Sequence, residues 1–251
     1  MTDISVTKLF LPYQPHQTLT TMKSFLLACF TLLILFSCQK DEEMISVENA
    51  DWYILTAPDA RAIEGVYGNI DGTIIISTGK NIYRTDDKGK TWQTSNYNSN
   101  HGTFSFAMLR DTLFVLNTQS TMHNTSDSEL ILAKNPSFYS LDQGLTWFPY
   151  NEVFYPEDGP IVLLNKAYTT AGTEYQIDKV NDGGYIETVG IKTSAGQKIS
   201  LPQNHQIKSV YFDKKDRLYV AASAAVCGSK SNFAFCKGEN GILYVSKAVQ
   251  K

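Results

Sequence analysis

From Asp51 to the C-terminus, apolar residues fall in short runs rich in β-branched and aromatic side chains, each closed by Gly, Asn, Asp or Pro. No stretch keeps apolar positions at helical spacing over three turns, so the pattern predicts short antiparallel strands and no helices. The plainest series is IVLLNKAYTT, AG, TEYQIDKV, NDGG, YIETVGIKT, SAG, QKISLP, residues 161–202. It predicts four strands joined by three tight turns, which is the meander of one propeller blade.

A phrase recurs along this strand pattern. Thr85-x-Asp87-x-Gly89-x-Thr91-Trp92 returns as Ser140-x-Asp142-x-Gly144-x-Thr146-Trp147, and the same step leads on to Thr193 and Ser246, at intervals of 55, 53 and 53 residues. The last two copies keep the period and the strands but not the Asp, Thr and Trp. Self-similarity at a fixed period of this length indicates a repeat architecture. The first unit divides into AIEGVYGN, GTIIIST, NIYRTD and TWQTSN. The second holds FSFAMLR and TLFVLNT, a polar excursion from Gln119 to Asn135, then SFYSLD and LTWFPY. The fourth, with IKSVYFD, RLYVAAS, a cysteine loop and ILYVSKA, is one strand short, and DWYILTA at 51–57 supplies it. The expected fold is therefore all-β: a small β-propeller of about four four-stranded blades over residues 50–251, with an N-terminal strand completing the last blade. A closed ring removes the exposed sheet edges that invite aggregation. A shortened relative of a six- or seven-bladed propeller is the alternative.

Each residue of the phrase has a mechanical use. The Asp carboxylate accepts hydrogen bonds from turn N–H groups, the leading Thr or Ser hydroxyl does likewise, Gly permits positive φ, and Trp buries its ring. The phrase resembles the Asp-box, or BNR repeat, of sialidases and other propellers. That resemblance implies a turn between the third and fourth strands of a blade, on the ring's periphery, with a structural role for Thr85, Asp87, Gly89, Thr91, Trp92, Ser140, Asp142, Gly144, Thr146 and Trp147. It also implies that ligands bind on the face opposite these turns. On that face the sequence places Arg61, Tyr97, His101, His123, Tyr155, Glu157, Asp158 and His205 as candidate binding residues, with Phe154 and Phe233 as further aromatics. A sialidase clamps its substrate carboxylate with three arginines. Of the four arginines after the signal segment, Arg84, Arg110 and Arg217 fall by strand alternation on the face of the repeated turns, so the clamp is missing.

The N-terminal segment changes the picture of where the domain works. Residues 22–37 begin MKSFLLACF and carry an uncharged run, Ser24 to Ser37, too short to span a bilayer and suited to a signal peptide. Leu35-Phe36-Ser37-Cys38 resembles the lipobox of bacterial lipoproteins, which implies lipidation of Cys38, a linker over 38–49 and an upstream extension over 1–21. The acidic QKDEE after Cys38 resembles a surface-export signal, so the expected location is the bacterial outer membrane, with exposure to the outside. An exported chain keeps disulfides, and Cys227 and Cys236 are the expected pair. Zinc is not expected, because no CxxC motif or local His cluster accompanies them.

A net charge of −3 gives no support to a nucleic-acid partner. No Gly-x-Ser-x-Gly, His-Glu-x-x-His or phosphate-cradling loop is present, and no cofactor or metal is implied. The sequence thus predicts a non-enzymatic envelope lipoprotein that binds a glycan or an envelope protein. The alternative is a glycoside hydrolase related to sialidases, with degenerate or unrecognised catalytic residues.

Overall fold

The computed structural model describes residues 49–123, 129–152, 159–228 and 232–251. After β1 (Trp52–Thr56), the first sheet is β2 (Gly65–Gly68), β3 (Ile74–Ser77), β4 (Ile82–Thr85) and β5 (Gln93–Thr94). The second is β6 (Ser105–Leu109), β7 (Thr112–His123), β8 (Glu129–Ser140) and β9 (Phe148–Pro149), to which the short β10 (Val162–Leu163) is added. β11 (Lys166–Tyr168), β12 (Glu174–Asp182), β13 (Tyr185–Thr193) and β14 (Lys198–Ile199) form the third. β15 (His205–Phe212), β16 (Leu218–Ala225) and β17 (Ile242–Ser246) form the fourth, completed on its outer edge by β1. The four antiparallel sheets are the blades of a four-bladed β-propeller, and no helix occurs among the described residues.

The ring closes as the sequence predicts. β1 pairs antiparallel with β17 over five residues, from Trp52 opposite Ser246 to Thr56 opposite Ile242. The core lies between blades rather than inside one. Leu55, Ile63, Val66, Ile76, Tyr219 and Val245 join blades 4 and 1, and Ile75, Ile82, Phe106, Leu113, Val115 and Trp147 join blades 1 and 2. Trp52, Tyr175, Ile191, Val210 and Tyr244 join blades 3 and 4. The remaining cluster is smaller, with Ala107, Leu116, Ala133 and Leu164.

Two strand assignments change. The polar excursion from Gln119 to Asn135 is largely a hairpin arm: β7 and β8 pair from Thr118 opposite Lys134 out to His123 opposite Glu129. Pro136 is tolerated inside β8 because it sits beside a register shift, following Asn135 at φ 61°. The run 161–170 is also not one strand. Val162 and Leu163 pair with Ala133 and Leu132 of blade 2, whereas β11 starts blade 3. Asn165 marks the crossing: its Oδ1 accepts from Ile131 N at 2.8 Å and its Nδ2 donates to Glu129 O at 2.7 Å.

Strand alternation gives the ring two faces. The first-to-second and third-to-fourth strand turns share one, here the turn face. The hairpin ends of β7–β8 and β12–β13 and the Cys227–Cys236 loop rise from the other, here the crown face.

Candidate functional site

The two full copies of the repeated phrase fold alike. Thr85 Oγ1 donates to Asp87 Oδ1 at 2.7 Å and accepts from Gly89 N at 2.9 Å. Asp87 accepts from Thr91 N at 2.9 Å and from Thr91 Oγ1 at 2.6 Å. In the second copy Ser140 Oγ donates to Asp142 at 2.8 Å and accepts from Gly144 N at 2.8 Å, while Asp142 accepts from Leu145 N and Thr146 N. Burial opposes ionisation of both carboxyls, but the bonds from Thr91 and Thr85, and from Thr146 and Ser140, outweigh it and hold both pKa values below the usual range. These carboxylates serve their own turns and are poor general bases. Each turn is docked against the preceding blade: a Cβ on Gly89 would lie 2.8 Å from Leu55 Cγ, and one on Gly144 2.6 Å from Ile75 Cδ1. Trp147 is buried and donates from Nε1 to Gly144 O at 3.0 Å, whereas Trp92 is half-buried against the core shared by blades 4 and 1.

Of the residues expected to bind on the crown face, the structure describes the side chains of Arg61, Tyr97, His101 and His205. Tyr97 is a correction: it is buried, 4.8 Å edge-to-face from Phe138, and its hydroxyl accepts from Thr103 Oγ1 at 3.0 Å, so it offers no stacking surface. His205 is a second correction. Rather than lying open on the crown face, it begins β15 with its side chain inward, Nδ1 2.8 Å from Ser223 O and Nε2 2.7 Å from Tyr244 OH. A carbonyl only accepts, so Nδ1 carries the proton and Nε2 accepts from Tyr244. Burial lowers the histidine's pKa, opposed by the carbonyls of Ser223 and Ala224. His101 is exposed beside Ser99, and Arg61 is exposed with its guanidinium 3.9 Å from Asp59. His123 ends β7, but its side chain, together with Tyr155, Glu157, Asp158 and Cys38, lies outside the described residues. His101 and His205 therefore do not converge. The disulfide between Cys227 and Cys236 is formed, with Cα atoms 5.0 Å apart.

A cavity of about 460 Å³ opens instead on the turn face, between the first-to-second strand turns of blades 1, 2 and 4 and the repeated turn of blade 2. Tyr67 and Tyr211 wall it, their ring centroids 5.9 Å apart. Ile75, Leu113 and Met108 supply apolar surface, and Asn69, Thr73, Gln143 and Lys214 polar groups. Beneath Lys214 is a fixed network. Asp213, almost wholly buried, accepts from Arg217 Nε at 2.8 Å and Tyr219 OH at 3.0 Å through Oδ2, and from Lys215 N and Arg217 N through Oδ1. Arg217 Nη1 lies 2.9 Å from Asp71 Oδ2, which Lys215 Nζ also reaches at 2.8 Å. Hydrogen bonds from Arg217 and then Lys215 pull the Asp71 carboxyl down to about 2. Tyr219 is pushed up, first by burial and then by Asp213, so its hydroxyl stays protonated and can donate.

Arg84, Arg110 and Arg217 are the residues that strand alternation places on this face. A second internal repeat points to it. Val66-Tyr67-Gly68-Asn69 and Val210-Tyr211-Phe212-Asp213 occupy equivalent positions in blades 1 and 4. Asn69 Oδ1 accepts from Asp71 N as Asp213 Oδ1 accepts from Lys215 N, and Asn69 N donates to Thr73 O as Asp213 N donates to Arg217 O. The repeat brings the two tyrosines side by side at the ring's mouth. Among the described residues no group of three or more His, Cys, Asp and Glu is placed to hold a metal ion. No protein-family model matches the chain, and neither does any curated protein sequence.

Proposed function

We propose that this chain is a non-enzymatic binding protein of the bacterial cell envelope, an Asp-box propeller carried on a lipid at Cys38, and that it takes a glycan in the turn-face cavity. The observation that carries the reading is the cavity: two tyrosine rings beside fixed polar groups on a preformed scaffold. A sugar needs that combination, with apolar surface for its C–H faces and oriented donors and acceptors for its hydroxyls. The acids at the site support binding over hydrolysis. Glycoside hydrolysis requires one carboxyl free to give a proton and another free to attack or to activate water. Asp213 spends its oxygens on Arg217, Tyr219 and two backbone N–H groups, and Asp71 is held ionised by Arg217 and Lys215.

A glycan array probed with the form from residue 39, followed by calorimetry on the best saccharide, tests this. Met108 is exposed at the cavity rim, so Met108→Trp fills the mouth without emptying the core. The expected result is saturable binding lost in Met108→Trp. Binding unchanged in that variant, or silence across the array, overturns the assignment.

A further inference from the structure

The two repeated turns share one geometry but differ at the positions that geometry turns outward. The first copy places Asp86, Lys88 and Lys90 there, and the second Leu141, Gln143 and Leu145. The charged set shows that the turn itself asks nothing apolar of these positions. Yet Leu141 is 68% exposed and Leu145 37%, and at the neighbouring end of β6 Met108 is 44% and Leu109 39% exposed. One blade thus presents four large apolar side chains on the turn face with nothing in the fold to explain them. Basic side chains accompany them: Arg110 follows Leu109, and Lys214 stands across the cavity from Met108, beside Lys215, which is paired with Asp71.

The chain reaches the ring on this same face. Asn49, the first described residue, accepts from Lys247 Nζ at 2.7 Å, and Lys247 N donates to Asp51 O at 2.9 Å just before β1. Cys38 lies eleven residues earlier, a reach of at most about 40 Å. A tether that short, leaving from the turn face, favours that face as the one turned to the membrane in which its lipid sits.

We infer that the turn face lies on an anionic lipid surface, seated through the leucine-bearing turns of blade 2 and a rim of basic side chains. Leu109, Leu141 and Leu145 enter the headgroup boundary, as the apolar side of an interfacial segment does, while Arg110 and Lys214 meet the lipid charge. The cavity then opens toward the bilayer, so that the glycan it takes is one presented at the membrane. The inference rests on the envelope reading for the bilayer and for the lipid at Cys38 that sets the tether.

The test uses the form from residue 39, which has no lipid of its own and contains the compact unit 43–251 with the closed ring. It is sedimented with vesicles of phosphatidylglycerol and phosphatidylethanolamine, and with vesicles of phosphatidylcholine alone. The expected result is salt-sensitive binding to the anionic vesicles only. Leu141→Ser with Leu145→Ser should abolish it, and Arg110→Asn with Lys214→Gln should weaken it about thirtyfold. Equal partition on both vesicle types, no partition on either, or unchanged partition of both double variants overturns the inference. So does light scattering that shows the wild type dimeric and the leucine variant monomeric, which would make a second copy the occupant. Met108→Trp separates the two conclusions. It should lose the saccharide and keep the vesicles, whereas saccharide binding without vesicle binding sinks the membrane orientation and leaves the cavity assignment standing.

Discussion

Gly89 and Gly144 combine two demands that the phrase alone displays only in part. Their φ values of 79° and 82° were readable as a turn requirement, but the approach of Leu55 and Ile75 from the neighbouring blade was not. Gly196 separates the two, because it has φ 82° and open space around it. Gly196→Ala should show the backbone cost alone, whereas Gly144→Ala should lose about 1–3 kcal/mol more by urea unfolding, since a Cβ must displace Ile75. Equal losses would mean that Ile75 yields freely. His205 gives a pH dependence. Its folded pKa is lowered from the ordinary 6.5, so just below that value the unfolded chain binds the proton more readily. Its contribution to stability is complete above 6.5, falls as pH drops through the window beneath, and levels off once the folded state is protonated too. Unfolding midpoints across this range should decline toward acid more steeply in the wild type than in His205→Gln, where only the opposing rise from the buried Glu64 carboxyl is left. A wild-type profile no steeper than the variant's would contradict the buried Nε2···Tyr244 pairing. The acid loss from Asp71, Asp87 and Asp142 belongs to a lower range, because their pKa values lie below those of ordinary carboxyls.

At the scale of elements, strands with one wet and one dry side were legible and strands that owe their form to pairing were not. Ile74–Ser77 and Leu218–Ala225 announce themselves by apolar content, and the completing strand at 52–56 by its Trp, Tyr and Leu. The outer arm of β7, Thr118 to His123, has no such signal, since all its residues but Met122 are polar and none from Thr118 to Met122 is buried. Its strand form comes from the backbone ladder to β8. His205 was hidden for the related reason that PQNHQ joins a true turn to the first residue of β15, and a polar side chain gave no sign of facing inward. The turn-face cavity was missed because the family resemblance directed attention to the other face, while the Val-Tyr-x-Asn/Asp repeat that builds it is too short to stand out. The cysteine loop was legible from the expected export and the spacing of Cys227 and Cys236, and it carries its own prediction. The disulfide closes a short loop that otherwise holds to the blade through the Val226–Phe235 bridge. Reduction should cost about 2–3 kcal/mol and lower the melting temperature while the cooperative transition persists. Loss of cooperativity on reduction would show that the loop holds more than itself.

For the whole molecule the decisive element is β1, because one strand serves two joints. Trp52 packs into the core between blades 3 and 4, and Leu55 into the core between blades 4 and 1, where it also meets the repeated turn at Gly89. Its backbone covers the edge of β17, which would otherwise be open to other chains. Removing residues up to Thr56 therefore differs in kind from trimming any other outer strand. β5, β9 and β14 are two residues each, while β1 has five and carries two buried side chains. Trp52→Ala and Leu55→Ala should each cost about 2–5 kcal/mol and leave a folded, monomeric ring. Because the two residues sit in different cores, the costs should add in the double variant. The truncation should do more: it loses both side chains and exposes the β17 edge, so the chain should elute as oligomers or aggregate and lose its sharp thermal transition. A truncated chain that stays monomeric and melts cooperatively would mean that the three remaining joints hold an open ring, and that closure through the N-terminal strand is not what makes these four sheets one molecule.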